Sequence, residues 1–211
     1  ATVALMIALE HRARTGRGQY IELAQTEAVA ATMEVAYMDH LINGRTWEPA
    51  GNRDMNFCPH GCYPCRGDDA WCVIACSTED EWQRLSDVMG NPSWASNEKF
   101  ATKEARLQHQ DELDEHIGRW TRDFTPMQVM RILQSVGVAA GAVQTGEDLY
   151  RDIHLRDRGY VLEVKHPGVG RREHSGMTAK LSLTPGRVQR GAPTIGLHNR
   201  RVFKDMLGLS E

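Results

Sequence analysis

The chain has 211 residues, with 25 Lys and Arg against 28 Asp and Glu, for a net charge of −3. That balance excludes the broad basic surface needed to bind nucleic acid or an anionic membrane. Five cysteines, an odd count without secretory context, favour free thiols in a reducing, cytoplasmic compartment over a disulfide framework.

There is no initiator Met, and Ala1 to Leu9 is already helical and apolar on most sides, which suits an interior helix of a larger protein. The run is too short to span a membrane, and no basic stretch precedes it as in a signal peptide. Arg12 and Arg14 place positive charge at the negative end of this helix, and Gly16 supplies the left-handed residue that stops it. Gln19 to Leu23 alternates like a strand, and Thr26 stands where an N-cap would open a second buried helix. That helix, with Val29, Met33, Ala36, Met38 and Leu41, runs to Asn43-Gly44. Gly16-Arg17-Gly18 has the look of a phosphate cradle, but such a loop leads from a strand into a helix. Here the glycines follow a helix and enter a strand, so they read as a tight connection.

Arg45 to Cys65 reads as a long irregular segment, rich in Pro and Gly, with a domain boundary near Ala50; loops of this length are usually functional or linking. Trp71 to Cys76 reads as a strand buried on both faces. Thr78 to Glu81 is a capping box that opens a helix running to Gly90. A single long helix is expected over Lys103 to Trp120. Thr125-Pro126-Met127-Gln128 is a second box, with Val129, Ile132, Leu133 and Val136 carrying the apolar stripe to Gly137. Val138 to Gln144 predicts a short strand, Gly146 to Arg151 a short helix, and Ile153 to Gly159 a helical turn. Tyr160 to Val164 and Lys180 to Leu183 predict strands, and Leu197 to Leu207 the last helix.

The densest group of reactive side chains is Cys58-Pro59-His60-Gly61-Cys62-Tyr63-Pro64-Cys65. Thiolate and imidazole are the donors zinc prefers, but structural zinc usually takes two separated ligand pairs, and no matching distal pair follows. Cys72 and Cys76 fall on the core face of their strand. A redox role for Cys62 and Cys65 is disfavoured because the motif does not open a helix that would depress a thiol pKa. No metal-ligand set is assigned. His11, His109 and His116 fall on polar helix faces, and His154 and His198 at helix starts, as solvated or capping residues. Arg171-Arg172 and Arg200-Arg201 offer contacts for a phosphate group or simply surface charge.

Arg12-x-x-Thr15-Gly16-Arg17-Gly18-Gln19-Tyr20-Ile21-Glu22-Leu23, with Glu27-Ala28 after it, resembles the signature of the family III CoA-transferases, the formyl-CoA and L-carnitine CoA-transferases and the related α-methylacyl-CoA racemases. Gly61 to Cys65, Gly67 to Trp71, Glu81-Trp82, Asn97 to Thr102, Asp148-Leu149, His154 to Gly159, His166-Pro167 and Ala192 to Asn199 agree in the same order, so the resemblance covers nearly the whole chain. It implies an α/β fold, as a C-terminal fragment of a two-domain protein. Residues 1–50 would belong to a Rossmann-like large CoA-binding domain, 51–190 to a small α+β domain with a short sheet, and 191–211 to a segment returning to the large domain.

The resemblance also implies chemistry. These transferases use an Asp nucleophile, which lies upstream of Ala1, so no catalytic residue is assigned within this chain. Acyl-CoA and a carboxylic acid are the implied substrates, no cofactor is permanently bound, and the intact protein is an interlocked homodimer. In formyl-CoA transferase a run of glycines closes over the active site just before the equivalent strand. Here Asn56 to Gly61 holds one Gly, implying a stiffer and bulkier wall, with Phe57, His60, Gly61 and Tyr63 as the substrate-binding residues. A His60 that merely packs in a loop is the alternative. An acyl-CoA racemase exchanging an α-proton through a His and carboxylate pair is a second function class, and a non-enzymatic zinc or interaction module a third.

Overall fold

The computed structural model describes residues 1–209, as two compact units that meet in sequence between Arg53 and Asp54. In the first unit, α1 (Thr2–Thr15) carries Arg12 and Arg14 in its last turn and stops at Gly16, whose φ of 71° is left-handed and whose N–H donates to the Arg12 carbonyl. The expected strand over Gln19 to Leu23 does not form. A strand is held by a partner ladder, and no second segment of this unit pairs with it. Thr26 is not an N-cap either, because α2 (Gln25–Ala30) opens after Ala24 without a side-chain cap.

The single helix expected to Asn43 is interrupted by a 3₁₀ turn at Ala31–Met33 before α3 (Glu34–Asn43), which Gly44 ends with φ 67°. At the break the Thr32 hydroxyl donates to the Val29 carbonyl at 2.7 Å, a local bond that competes with the helical ladder. No side chain of residues 1–53 is buried in this chain, where a buried helix was expected: Val29 is 60% and Leu41 77% exposed. These short helices have no apolar surface of their own unit large enough to enclose them.

The second unit is built on a three-stranded antiparallel sheet in the order β1 (His60–Pro64), β2 (Trp71–Ala75), β3 (Ala139–Ala142). β1 lies inside the segment expected to be irregular, and pairs Gly61 with Ile74 and Tyr63 with Cys72. Cys72 and Ile74 are buried while Val73 is 42% exposed, so β2 is covered on one face only, and the expectation of two buried faces fails. The covered face carries α4 (Glu79–Val88), α5 (Lys103–Gln108), α6 (Gln110–Thr121) and α7 (Pro126–Ser135). Both capping boxes form, Thr78 with Glu81 and Thr125 with Gln128. The one helix expected from Lys103 to Trp120 is two, parted at His109, whose φ of −113° and ψ of 29° leave the helical range.

Leu85, Leu113, Ile117, Val129 and Leu133 fill the core between the helices and the sheet. At about 25 cal/mol per Å² of apolar surface, such fully enclosed side chains are each worth roughly 1.5–3 kcal/mol, which makes this layer the main source of stability.

Beyond it come α8 (Gly146–Arg151), α9 (Ile153–Asp157) and a hairpin of β4 (Val161–His166) with β5 (Gly170–Ser175). The strand expected at Lys180 to Leu183 is absent; the true partner, Gly-Arg-Arg-Glu-His-Ser, is polar throughout and is held by the backbone ladder, with a cross-strand ion pair from Arg171 to Glu163 at 2.6 Å. The last helix begins later than expected and is π-wound over Arg200–Met206, after a turn in which Gly196 has φ 76°. Among the described residues, no helix is long and apolar enough to cross a membrane.

Candidate functional site

The four residues expected to bind substrate lie on β1 and the loop before it, and the strand pleat divides them. Gly61 and Tyr63 share the face that pairs with Ile74 and Cys72 over the core, whereas His60 and Cys62 pair with Ala75 and Val73 on the open face. Phe57, just before the strand, is 37% exposed, and His60 is half-buried.

Tyr63 is enclosed, and its hydroxyl donates to Asp114 Oδ1 of α6 at 2.9 Å. Burial, then the Asp114 carboxylate, hold this phenol far above the usual tyrosine range, so it stays protonated and donates. Its ring lies across Gly61: a Cβ built on Gly61 would sit 2.8 Å from the Tyr63 hydroxyl oxygen and 2.9 Å from Cζ. Gly61 is thus a packing glycine, one whose absent side chain makes room for an aromatic ring.

The loop before β1 is tied at its base through two consecutive carbonyls. Cys58 O accepts from Arg106 Nε at 2.9 Å, and Pro59 O accepts from the Cys76 N–H at 2.8 Å; the Cys58–Pro59 peptide is cis. Arg106 also donates to both oxygens of Glu79, at 2.8 and 3.0 Å, and to the Phe100 carbonyl at 3.1 Å, with its guanidinium 5.0 Å over the Trp82 ring. The Arg106 hydrogen bonds hold the Glu79 carboxyl below its ordinary range. Sequence reasoning missed this residue, although its position gave a signal. Arg106, Gln110, Leu113 and Ile117 are all buried, so Arg106 lies on the inward stripe shared by α5 and α6, where a charge calls for partners.

The cysteines split in the same way. Cys58, Cys65, Cys72 and Cys76 are buried and Cys62 is half-buried; none is in a disulfide. Burial pushes the Cys76 thiol up to about 12 and raises Cys62, Cys65 and Cys72 as well, the opposite of an activated thiolate. Among the described residues no three His, Cys, Asp or Glu side chains gather where they could hold a metal ion.

His116 is not on a solvated face: its ring stacks on Trp94 at 4.2 Å and meets the edge of Phe100. His109 occupies the break between α5 and α6. Arg171 is engaged by Glu163, and Arg172 donates to the Arg171 carbonyl, so this pair serves the hairpin. Away from β1, a cleft of about 570 Å³ opens between α8, α9 and the hairpin, lined by Leu149, Tyr150, Leu155, Tyr160, Met177 and Lys180 among others.

The geometry can be set beside known proteins. The chain is 35% identical over 211 residues to the succinyl-CoA–D-citramalate CoA-transferase of Chloroflexus aurantiacus, covering 100% of this chain and 52% of that protein. It is 28% identical over 227 residues to a formyl-CoA:oxalate CoA-transferase of Rhodopseudomonas palustris, covering 98% of this chain and 53% of that one. A crystal structure of a CAIB/BAIF family protein from Brucella suis superposes with a TM-score of 0.83 at 25% identity, over 96% of this chain and 52% of that one. The chain thus spans about half the length of these relatives. The model of CoA-transferase family III matches residues 1–199, and the chain belongs to that family.

Proposed function

We propose that this chain takes part in moving CoA between an acyl-CoA and a carboxylic acid through an aspartyl intermediate, with the attacking carboxylate supplied from outside these residues. On this reading an Asp carboxylate attacks the thioester carbonyl and displaces CoA thiolate, giving a mixed anhydride. The thiolate attacks the aspartyl carbonyl, releases the donor acid and leaves an enzyme-CoA thioester, and the acceptor acid reverses both steps. Splitting one acyl exchange in this way lowers each barrier, provided water is kept from intermediates that hydrolyse.

The loop and strand from Phe57 to Tyr63 form the wall on the acid side. Phe57 and His60 face the acid, Gly61 makes room for the Tyr63 ring behind them, and Tyr63 holds the strand through Asp114. Residues 1–50 are assigned to a large CoA-binding domain, 51–190 to a small domain and 191–211 to a returning segment. The exposed apolar side chains of the first unit, Val3, Met6 and Val29 among them, would be covered by the rest of a homodimeric, cytoplasmic enzyme. The 211-residue chain alone would not turn over, and CoA enters as substrate, with no resident cofactor.

The observation that carries the reading is similarity along the whole of this chain to about half of a CoA-transferase whose name specifies succinyl-CoA and D-citramalate. The test is to incubate the natural polypeptide that carries this sequence with succinyl-CoA and a panel of carboxylic acids, and to follow exchange of the CoA ester. Transfer, with a CoA adduct trapped on an Asp, is expected. Exchange of an α-proton without transfer would overturn the reading in favour of a racemase.

A further inference from the structure

The proposed acid-side wall belongs to a loop that lacks the glycines of a mobile flap, and the structure shows what holds it in place. Its base is gripped from two sides, by the Cys76 N–H on Pro59 O and by the Arg106 guanidinium on Cys58 O. The first grip is ordinary strand-end bonding. The second comes from a side chain 48 positions further along, and is otherwise costly to explain.

The Arg106 side chain is only 2% exposed, while its partner Glu79 is 58% exposed. A buried guanidinium loses most of its hydration, and a single half-solvated carboxylate returns only part of it. Converging acceptors and an aromatic face make up the difference. Four donated hydrogen bonds join the loop at Cys58, the 3₁₀ turn at Phe100 and the first residue of α4, Glu79, and the flat cation rests against Trp82. Glu79 is itself oriented by the Lys103 N–H at 3.1 Å, at the start of the helix that carries Arg106. A planar fork can serve diverging acceptors at once, which a lysine ammonium cannot do from the same place.

We infer that Arg106, clamped by Glu79, is a positioning residue that fixes the Asn56–His60 loop and thereby sets which carboxylic acid the enzyme accepts. This rests on the CoA-transfer reading above for its last step, but the clamp itself does not. Arg106 touches neither substrate nor reacting atoms. It acts by holding the Cys58 carbonyl, so that Phe57 on one side and His60 on the other point in fixed directions.

Two variants test it in the natural polypeptide that carries this sequence: Arg106→Lys, which keeps the charge but not the fork, and Glu79→Gln, a milder change at a half-solvated site that protects the test if the first variant folds poorly. Backbone hydrogen exchange is read at Asn56 to His60, and KM and kcat are read separately for acid and acyl-CoA. Exchange in that loop should rise at least tenfold in Arg106→Lys and less in Glu79→Gln, with β2 amides unchanged. The KM for the acceptor acid should rise about tenfold and the preference between two acids of different size should shift at least threefold, while the KM for acyl-CoA stays within twofold.

Unchanged loop exchange in both variants would refute the clamp. Faster loop exchange with unaltered acid KM and preference would refute its role in selectivity and leave CoA transfer intact. Absence of CoA transfer in the unmodified protein would instead remove the proposed function and with it the role in selectivity, while the exchange data would still decide the clamp.

Discussion

The Tyr63 hydroxyl and the Asp114 carboxylate are joined by a 2.9 Å hydrogen bond that ties β1 to α6, and the ring that delivers the hydroxyl occupies the space a side chain at position 61 would need. Two costs follow. Tyr63→Phe should destabilise the fold by roughly 1.5–3 kcal/mol, the range for a hydrogen bond to a charged group. Gly61→Ala should cost about 1–3 kcal/mol through overpacking. Because the closest clash is with the hydroxyl oxygen itself, Gly61→Ala should cost less in the Tyr63→Phe background than alone. Urea denaturation of the four proteins in a double-mutant cycle checks this, and strict additivity would show that the two sites do not touch.

The stacking of His116 on Trp94 has a pH signature. Burial first, then Arg119, hold the imidazole below its ordinary 6.5, against an opposing pull from Glu112 and Glu115. A folded pKa below the unfolded one means the fold favours the neutral ring, so this contribution is full above pH 6.5 and is lost as the pH falls through the lowered value. Urea midpoints at pH 7.5 and 5.5 should therefore fall further in the unmodified protein than in His116→Gln. Equal falls would assign the acid sensitivity to other groups.

Thiol labelling at pH 8 should separate the five cysteines. Cys62, on the open face of β1, should react first with a disulfide reagent, slowly because burial raises its pKa too. Cys58, Cys65, Cys72 and Cys76 should react only on unfolding. Two or more thiols titrating at once in the native protein would contradict the burial pattern.

The capping boxes make a further prediction. The Thr125 hydroxyl accepts from the Gln128 N–H while Gln128 reaches back to the Thr125 N–H, and Thr78 with Glu81 repeats the arrangement. Thr125→Ala and Thr78→Ala should each lower stability by about 1 kcal/mol, and Thr125→Asn by much less. Thermal or urea midpoints measure this, and a loss below a few tenths would mean that neighbouring helices, rather than the caps, hold these termini.

These boxes also show which parts of the fold could be read from the sequence. The two capping boxes, the Gly stops and the apolar stripe of α7 are local and formed as their residues suggested, whereas the cap expected at Thr26 did not. Features that depend on partners were harder to read. β1 was hidden by His60, Gly61 and Pro64, residues that resemble a loop until their pairing with β2 is known. β5 has no apolar residue to betray it, because the backbone ladder and the Arg171–Glu163 ion pair, rather than burial, hold it against β4. The strand expected at Gln19 to Leu23 had the right alternation and no partner.

The site divides along the same line. The resemblance pointed to the Phe57 to Tyr63 region, but whether a side chain there faces solvent or core is set by register, which placed Tyr63 inward. Arg106 was passed over because a lone Arg in a charged helix reads as surface. Only the convergence of Cys58, Phe100 and Glu79 from three distant segments gives it a role.

The open disposition of residues 1–53 has a thermodynamic consequence. Helices of 14 and 10 residues with no enclosed side chain lack the tertiary support that short helices need in water. A calorimetric scan of this polypeptide should therefore show the heat absorption and cooperative melting of the sheet-bearing unit alone. The amino-terminal helices should fray without a peak, and a protease should trim them back towards Asp54 before it enters the rest.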